Sequence, residues 1–290
     1  MKKIRLSNEV KSSVLGFGCA PIGGSVDWKT ARYALDKAFE FGVNHFDLAR
    51  SYGYGDAEAL VGKFIQDKKH DVVVASKFGI KANWGSLLLK GAKPMIRRYQ
   101  KSKGKPKSNI NSGQKSQGSA LANVFLKRVQ PLRSADMVNS LEKSLRKLNR
   151  DYLDYFFIHE PLHSLTYTDE LLETAQKLKK QGKIKSYGLA YLQGQSNLHS
   201  NYLDHFDLLQ FNNPLSESNY SDIKNRRGNR ANIIFSPFTG GGTEMKPLEK
   251  LEKLLIDFPN SVILCSMFNV NHMSENVRLA NSILSQSNIS

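Results

Sequence analysis

Short apolar runs alternate with stretches whose apolar residues recur at helical spacing. Val14–Ala20, Asn44–Leu48, Val72–Lys77 and Tyr155–His159 are apolar enough to be buried on both faces and read as strands. Ser186–Ala190, Leu208–Phe211, Ile233–Ser236 and Val262–Cys265 supply four more. Between them, Trp28–Phe41 places Ala31, Ala34, Leu35, Ala38 and Phe39 on one face. Ala57–Ile65, Ala135–Leu148 and Leu171–Gln181 repeat that spacing, with Gly182 as a helix stop. Further helices are expected near Asn197 and Ser221, over Pro247–Phe258 and over Met273–Leu284. Strands that alternate with helices pair in parallel. Eight such units in 290 residues predict a closed (β/α)8 TIM barrel, one α/β domain over 1–290. Ile4–Val14 reads as a hairpin under the barrel floor. The first turn lacks G-x-G-x-x-G, because Gly16, Gly18, Gly23 and Gly24 are spaced differently, so a Rossmann fingerprint is not supported.

One segment breaks the pattern. Residues 81–133, after the third strand, contain no Asp or Glu, and residues 81–150 carry a net charge of +15. Residues 1–80 carry +3 and 151–290 carry −2, so the overall +16 is a local excess rather than a basic face. This basic insertion is rich in Lys, Ser, Gly and Asn and leaves the barrel on the side where such folds keep their chemistry. It reads as a solvated excursion or a lid. Sparse aromatic residues argue against nucleic acid.

No apolar run approaches the length of a membrane span. Met1–Val10 has no apolar segment of a secretory signal, so a cytoplasmic setting is expected. Cys19 and Cys265 give no disulfide framework. They end neighbouring strands and read as small buried hydrophobes, with a redox pair as the other reading. No metal-ligand set stands out.

Four polar residues fall at or just past strand ends: Asp47, Tyr52 five residues later, Lys77 and His159. Adjacent staves bring these ends together. Hydride addition to a carbonyl leaves charge on oxygen, which a proton must quench. A phenol, with a pKa of about 10, is a weak donor. A nearby ammonium lowers that pKa, and a carboxylate keeps the ammonium charged when buried. An imidazole can orient the carbonyl oxygen. Singly, each residue has a structural reading: a turn cap, a loop aromatic, a rim ion pair, a core histidine. Jointly, they form a proton-delivery set.

These motifs resemble the aldo-keto reductase family. FDLARSYGYGDAEALVG, SKFG and SLEKSLRKLNRDYLDYFFIH carry the likeness, and YG-x-G-x-AE is similar to the branch with sugar and aldose dehydrogenases. The resemblance implies an NAD(P)-dependent oxidoreductase acting on an aldehyde, ketone or sugar-like carbonyl. In it Tyr52 is the general acid/base, Asp47 and Lys77 its tuning partners and His159 the carbonyl-orienting residue. It implies NADP(H) ahead of NAD(H), held by Gln210 at the carboxamide and by Ser236, Phe238, Gly240 and Gly241 at the pyrophosphate. His272, Glu275 and Asn276 would stand at the adenine end. His272 replaces a common Arg, which weakens the case for a 2′-phosphate. The usual fifth-strand Ser-Asn reads Ala190-Tyr191, and Asn213 stands where a stacking Tyr is common. Substrate contacts fall to Trp28, Trp84 and Tyr191. A monomer or small homo-oligomer that binds no nucleic acid or membrane is implied. The alternative is a cofactor-sensing regulatory protein on the same barrel with little turnover.

Overall fold

The chain opens with an antiparallel hairpin, β1 (Lys3–Ser7) and β2 (Val10–Ser13), and then enters the barrel through β3 (Leu15–Gly18). The computed structural model describes residues 1–7, 10–82, 126–239 and 244–286. Within these, α1 (Trp28–Glu40), β4 (His45–Asp47), α2 (Ala57–Phe64) and β5 (Val73–Phe78) follow. A short antiparallel pair, β6 (Ile80–Ala82) and β7 (Leu126–Arg128), comes next. It is the described base of the insertion; Trp84 and the rest of 83–125 lie outside the described residues. The second half runs α3 (Ser134–Leu148), β8 (Leu153–His159), α4 (Thr168–Lys180), β9 (Ile184–Tyr191), β10 (Leu208–Asn212) and α5 (Tyr220–Arg227). It ends with β11 (Asn232–Phe235), α6 (Pro247–Asp257), β12 (Ser261–Cys265) and α7 (Val270–Gln286).

Eight strands close into a parallel barrel in the order β3-β4-β5-β8-β9-β10-β11-β12 and back to β3. This is the (β/α)8 TIM barrel. Chemistry follows the apolar pattern: Ala31, Ala34, Leu35 and Ala38 are the buried face of α1, and Asp27 caps it by accepting from Thr30 N at 3.0 Å. One large ring in the barrel depends on a small neighbour. A Cβ on Gly188 would stand 2.4 Å from the Phe157 ring, so glycine leaves the room that ring occupies.

One expected helix is different. After β9 the chain forms 3-10 turns over Gln193–His199 and Leu203–His205 instead of a helix near Asn197. This stretch has no continuous apolar face, and its Ser and Asn side chains compete with helical backbone bonds. The hairpin meets the N-terminal ends of the strands, as Ser13 N donates to Asn44 Oδ1 at 2.7 Å and Ser7 pairs with Ser186 at 2.5 Å. Cys19 and Cys265 are free and fully buried, and burial pushes the Cys265 thiol up to about 12. No described helix is long and apolar enough to cross a membrane.

Candidate active site

Strand alternation sets the site. Inward positions at the C-terminal ends of β4 and β5 place Asp47 beside Lys77. Lys77 Nζ lies 2.5 Å from Asp47 Oδ2, 2.9 Å from the Leu48 carbonyl and 3.4 Å from the Tyr52 hydroxyl. The Lys77 and Asp47 side chains are 2% and 4% exposed. Tyr52 is delivered by the turn Tyr52–Gly55, in which Gly53, Tyr54 and Gly55 all have positive φ. Gly53 also needs its missing Cβ, which would stand 2.6 Å from the Ile22 carbonyl. His159 ends β8 and packs edge-on against the Tyr52 ring, with centroids 5.9 Å apart. The three neighbouring staves therefore bring the four residues together. The mouth encloses a cavity of about 210 Å³ lined by Asp47, Tyr52, Lys77 and Gln210, among others; His159 touches the Tyr52 ring but does not itself line the cavity.

Electrostatics sharpen the picture and correct one expectation. Burial, then the Asp47 and Glu160 carboxylates, raise the Tyr52 phenol well above its ordinary value. The lowering expected from Lys77 does not result, because burial, the largest effect, disfavours the charged phenolate. Burial, with Lys77 and Arg128, holds His159 well below the usual imidazole range, so it is neutral. Burial raises the Asp47 carboxyl, against the opposing pull of Lys77.

Gln210 Nε2 donates to Asp47 Oδ1 at 3.2 Å, while its buried Oε1 accepts nothing from the described residues. An orphaned amide oxygen facing a cavity fits a carboxamide N–H donor. Ser236, with φ 54, and Phe238 line the opposite wall on the loop after β11. Gly240 and Gly241 of the same loop lie outside the described residues. On α7, His272 and Glu275 are exposed and Asn276 is buried; none of them lines the cavity.

Two substrate expectations do not fit the cavity. Tyr191 faces outward. The inward position at this end of β9 is Ala190, and the Tyr191 ring packs on His199 and Phe211, each 6.0 Å away between centroids. Tyr191 instead borders a separate cavity of about 560 Å³ on the barrel flank. Trp28 is the half-buried first residue of α1 and packs on the core without lining the mouth.

Sequence reasoning missed several mouth residues. Glu160, Phe235 and Ser266 line the cavity, each at or just past a strand end, which was the available signal. Asn213 does more than stand where an aromatic is common. It is buried, and its Nδ2 donates to the carbonyls of Pro237 and Thr239 at 2.7 Å each, fastening the Ser236 loop.

A parallel barrel with a buried Asp–Lys pair touching a Tyr at its mouth defines a class of barrel enzyme folds whose chemistry sits at the strand C-termini. The aldo/keto reductase family profile matches residues 14–196, and the chain belongs to that family. Its relatives include the uncharacterized oxidoreductase YqkF of Bacillus subtilis, 25% identical over 66% of this chain and 49% of that protein. The methylglyoxal reductase YeaE of Escherichia coli is 27% identical over 66% of this chain and 50% of the relative. The chain thus spans about half the length of the curated relatives it matches. A putative aldo-keto reductase structure from Pseudomonas aeruginosa superposes with a TM-score of 0.70 at 20% identity, covering 97% of this chain and 95% of the other. A Klebsiella pneumoniae aldo-keto reductase in complex with NADPH gives 0.65 at 18%, covering 98% and 93%.

Proposed function

We propose that the protein is an NAD(P)-dependent oxidoreductase that transfers hydride to or from an aldehyde, ketone or sugar-like carbonyl, with Tyr52 as general acid/base. The observation that carries this reading is the Lys77 amine, bonded to buried Asp47 and within 3.4 Å of the Tyr52 hydroxyl. A bound nicotinamide dinucleotide supplies the hydride. Gln210 would hold its carboxamide, Ser236, Phe238, Gly240 and Gly241 its pyrophosphate, and His272, Glu275 and Asn276 its adenine end. NADP(H) is proposed ahead of NAD(H), with Arg278 or the basic insertion available to a 2′-phosphate.

Residue roles follow from charge. Tyr52 has a raised pKa and so keeps its proton, ready to donate as a carbonyl oxygen gains charge. Lys77 stands where it stabilises the phenolate left behind, and Asp47 keeps Lys77 charged and aimed. Neutral His159 donates or accepts without competing for the charge. Asn213 holds the wall against which the cofactor would lie. In the oxidative direction Tyr52 takes the proton back.

The test is a fluorescence titration of the purified protein with NADPH and NADH, followed by a screen of aldehydes and sugars. Saturable binding of one dinucleotide and its carbonyl-dependent oxidation are expected. Failure to bind either dinucleotide would overturn the reading.

A further inference from the structure

One carboxylate at the mouth bonds to none of the proton-delivery residues among the described contacts. Glu160 directly follows His159, at the point where β8 gives way to its loop. Its backbone lies in the left-handed region, with φ 42, which L side chains rarely adopt. Two bonds hold it there. Glu160 N donates to the Ala190 carbonyl at 2.8 Å, and Arg128 Nη1 donates to the Glu160 carbonyl at 2.5 Å. In this pose Glu160 lines the same cavity as Tyr52 and Lys77.

Among the described residues, the one cation paired with the Glu160 carboxylate, Arg128, stands at a distance. Lys77 is engaged by Asp47, Leu48 and Tyr52. Arg128 Nη2 stands 3.9 Å from Glu160 Oε2, well beyond a charge-assisted hydrogen bond, and is 35% exposed. Asp47 and Lys77 pair with each other and Arg128 does not line the cavity, so the described charged residues that line it are two carboxylates and one ammonium. The Glu160 side chain is 27% exposed, so a ligand that seats against it displaces its remaining water, and one that brings a cation offsets that cost. A ligand that brings a second carboxylate adds repulsion in a poorly screened space.

We propose that Glu160 is a specificity-determining residue that selects carbonyl substrates bearing a cationic nitrogen, a protonated or quaternary amine, and rejects those bearing a carboxylate. The small cavity restricts the choice to compact molecules. This assignment rests on the reading of the mouth as a carbonyl site.

Two ligand pairs test it on the full chain. The first is choline and its all-carbon isostere, in which a tert-butyl group replaces trimethylammonium; binding is read by calorimetry. The second is the corresponding pair of aldehydes, read as kcat/KM with the preferred dinucleotide. Choline is expected to bind on the order of tenfold more tightly than its neutral isostere, the scale of one hydrogen-bonded or close charge contact. The cationic aldehyde is expected to be preferred by a similar factor. Glu160→Gln should bring both ratios close to one. Arg128→Gln, which removes the competing cation, should widen them. Equal binding of the two alcohols by the wild type, or a preference that survives Glu160→Gln, would overturn the assignment. The alcohols need no hydride transfer. A choline preference without aldehyde turnover would therefore support Glu160 and contradict the redox reading. Turnover of both aldehydes without preference would do the reverse.

Discussion

His45 and Asp47 are two residues apart on one short strand, both buried, and they serve opposite ends of the barrel. At the floor, His45 Nδ1 meets Ser12 Oγ at 3.1 Å, its ring stacks on Tyr155 at 5.7 Å, and Ser12 contacts the Tyr155 hydroxyl at 3.4 Å. Every group there is neutral, because burial and the distant Lys77 charge push the His45 imidazole down to about 3. The hairpin covers these groups. At the mouth, Asp47 meets Lys77, and the pair borders a cavity. The floor cluster is neutral and covered, with His45 Nε2 left without a hydrogen-bond partner among the described residues. The mouth keeps a charged pair at a place that chemistry can reach. Breaking a buried ion pair by removing one partner is far more costly than losing one neutral hydrogen bond.

The contrast can be broken at three points, from the largest expected effect to the smallest. Lys77→Met leaves the Asp47 carboxylate buried alone, and we expect a loss of about 3–5 kcal/mol in urea unfolding. Turnover should fall by at least about 100-fold. Adding Asp47→Asn should restore most of the stability and none of the turnover, which separates the charge's structural cost from its role. Asn213→Ala removes both bonds to the Ser236 loop. Dinucleotide affinity measured by fluorescence should weaken by roughly tenfold, with kcat little changed, since losing such a bond costs about 1–3 kcal/mol. At the floor, His45→Phe keeps a ring against Tyr155 and should cost only about 1 kcal/mol with turnover within a factor of about two. The same variant should alter acid sensitivity. Folded His45 resists protonation down to about 3, while the unfolded imidazole takes a proton below about 6.5. Its contribution to stability is therefore present above pH 6.5 and lost as pH falls toward 3. Urea melts of His45→Phe should show a shallower loss between pH 6.5 and 4 than wild type.

Much of the barrel was legible because buried parallel strands and amphipathic helices carry different periods. The four strand-end residues were legible for the same reason, since each closes an apolar run. Tyr191 was misplaced because facing is a matter of one residue: Ala190 points in, so its neighbour points out. No local signal fixes that choice in a strand apolar on both faces. Glu160 was passed over because its direction depends on a left-handed backbone held by Ala190 and Arg128, both remote in sequence. Asn213 looked like a lost aromatic because its hydrogen bonds go to a loop more than twenty residues away. The direction of the Tyr52 shift differs from the expectation because burial sets it, and the sequence shows an ammonium near a phenol but not how deeply the phenol is buried.

Proton delivery by Tyr52 is tested most directly by single-turnover hydride transfer in Tyr52→Phe, with wild-type protein, NADPH and one reducible aldehyde as the reference. We expect the transfer rate to fall by about 10²–10⁴-fold, while NADPH affinity stays within a few-fold of wild type. A Tyr52→Phe rate close to wild type would contradict the assignment of the phenol as the acid.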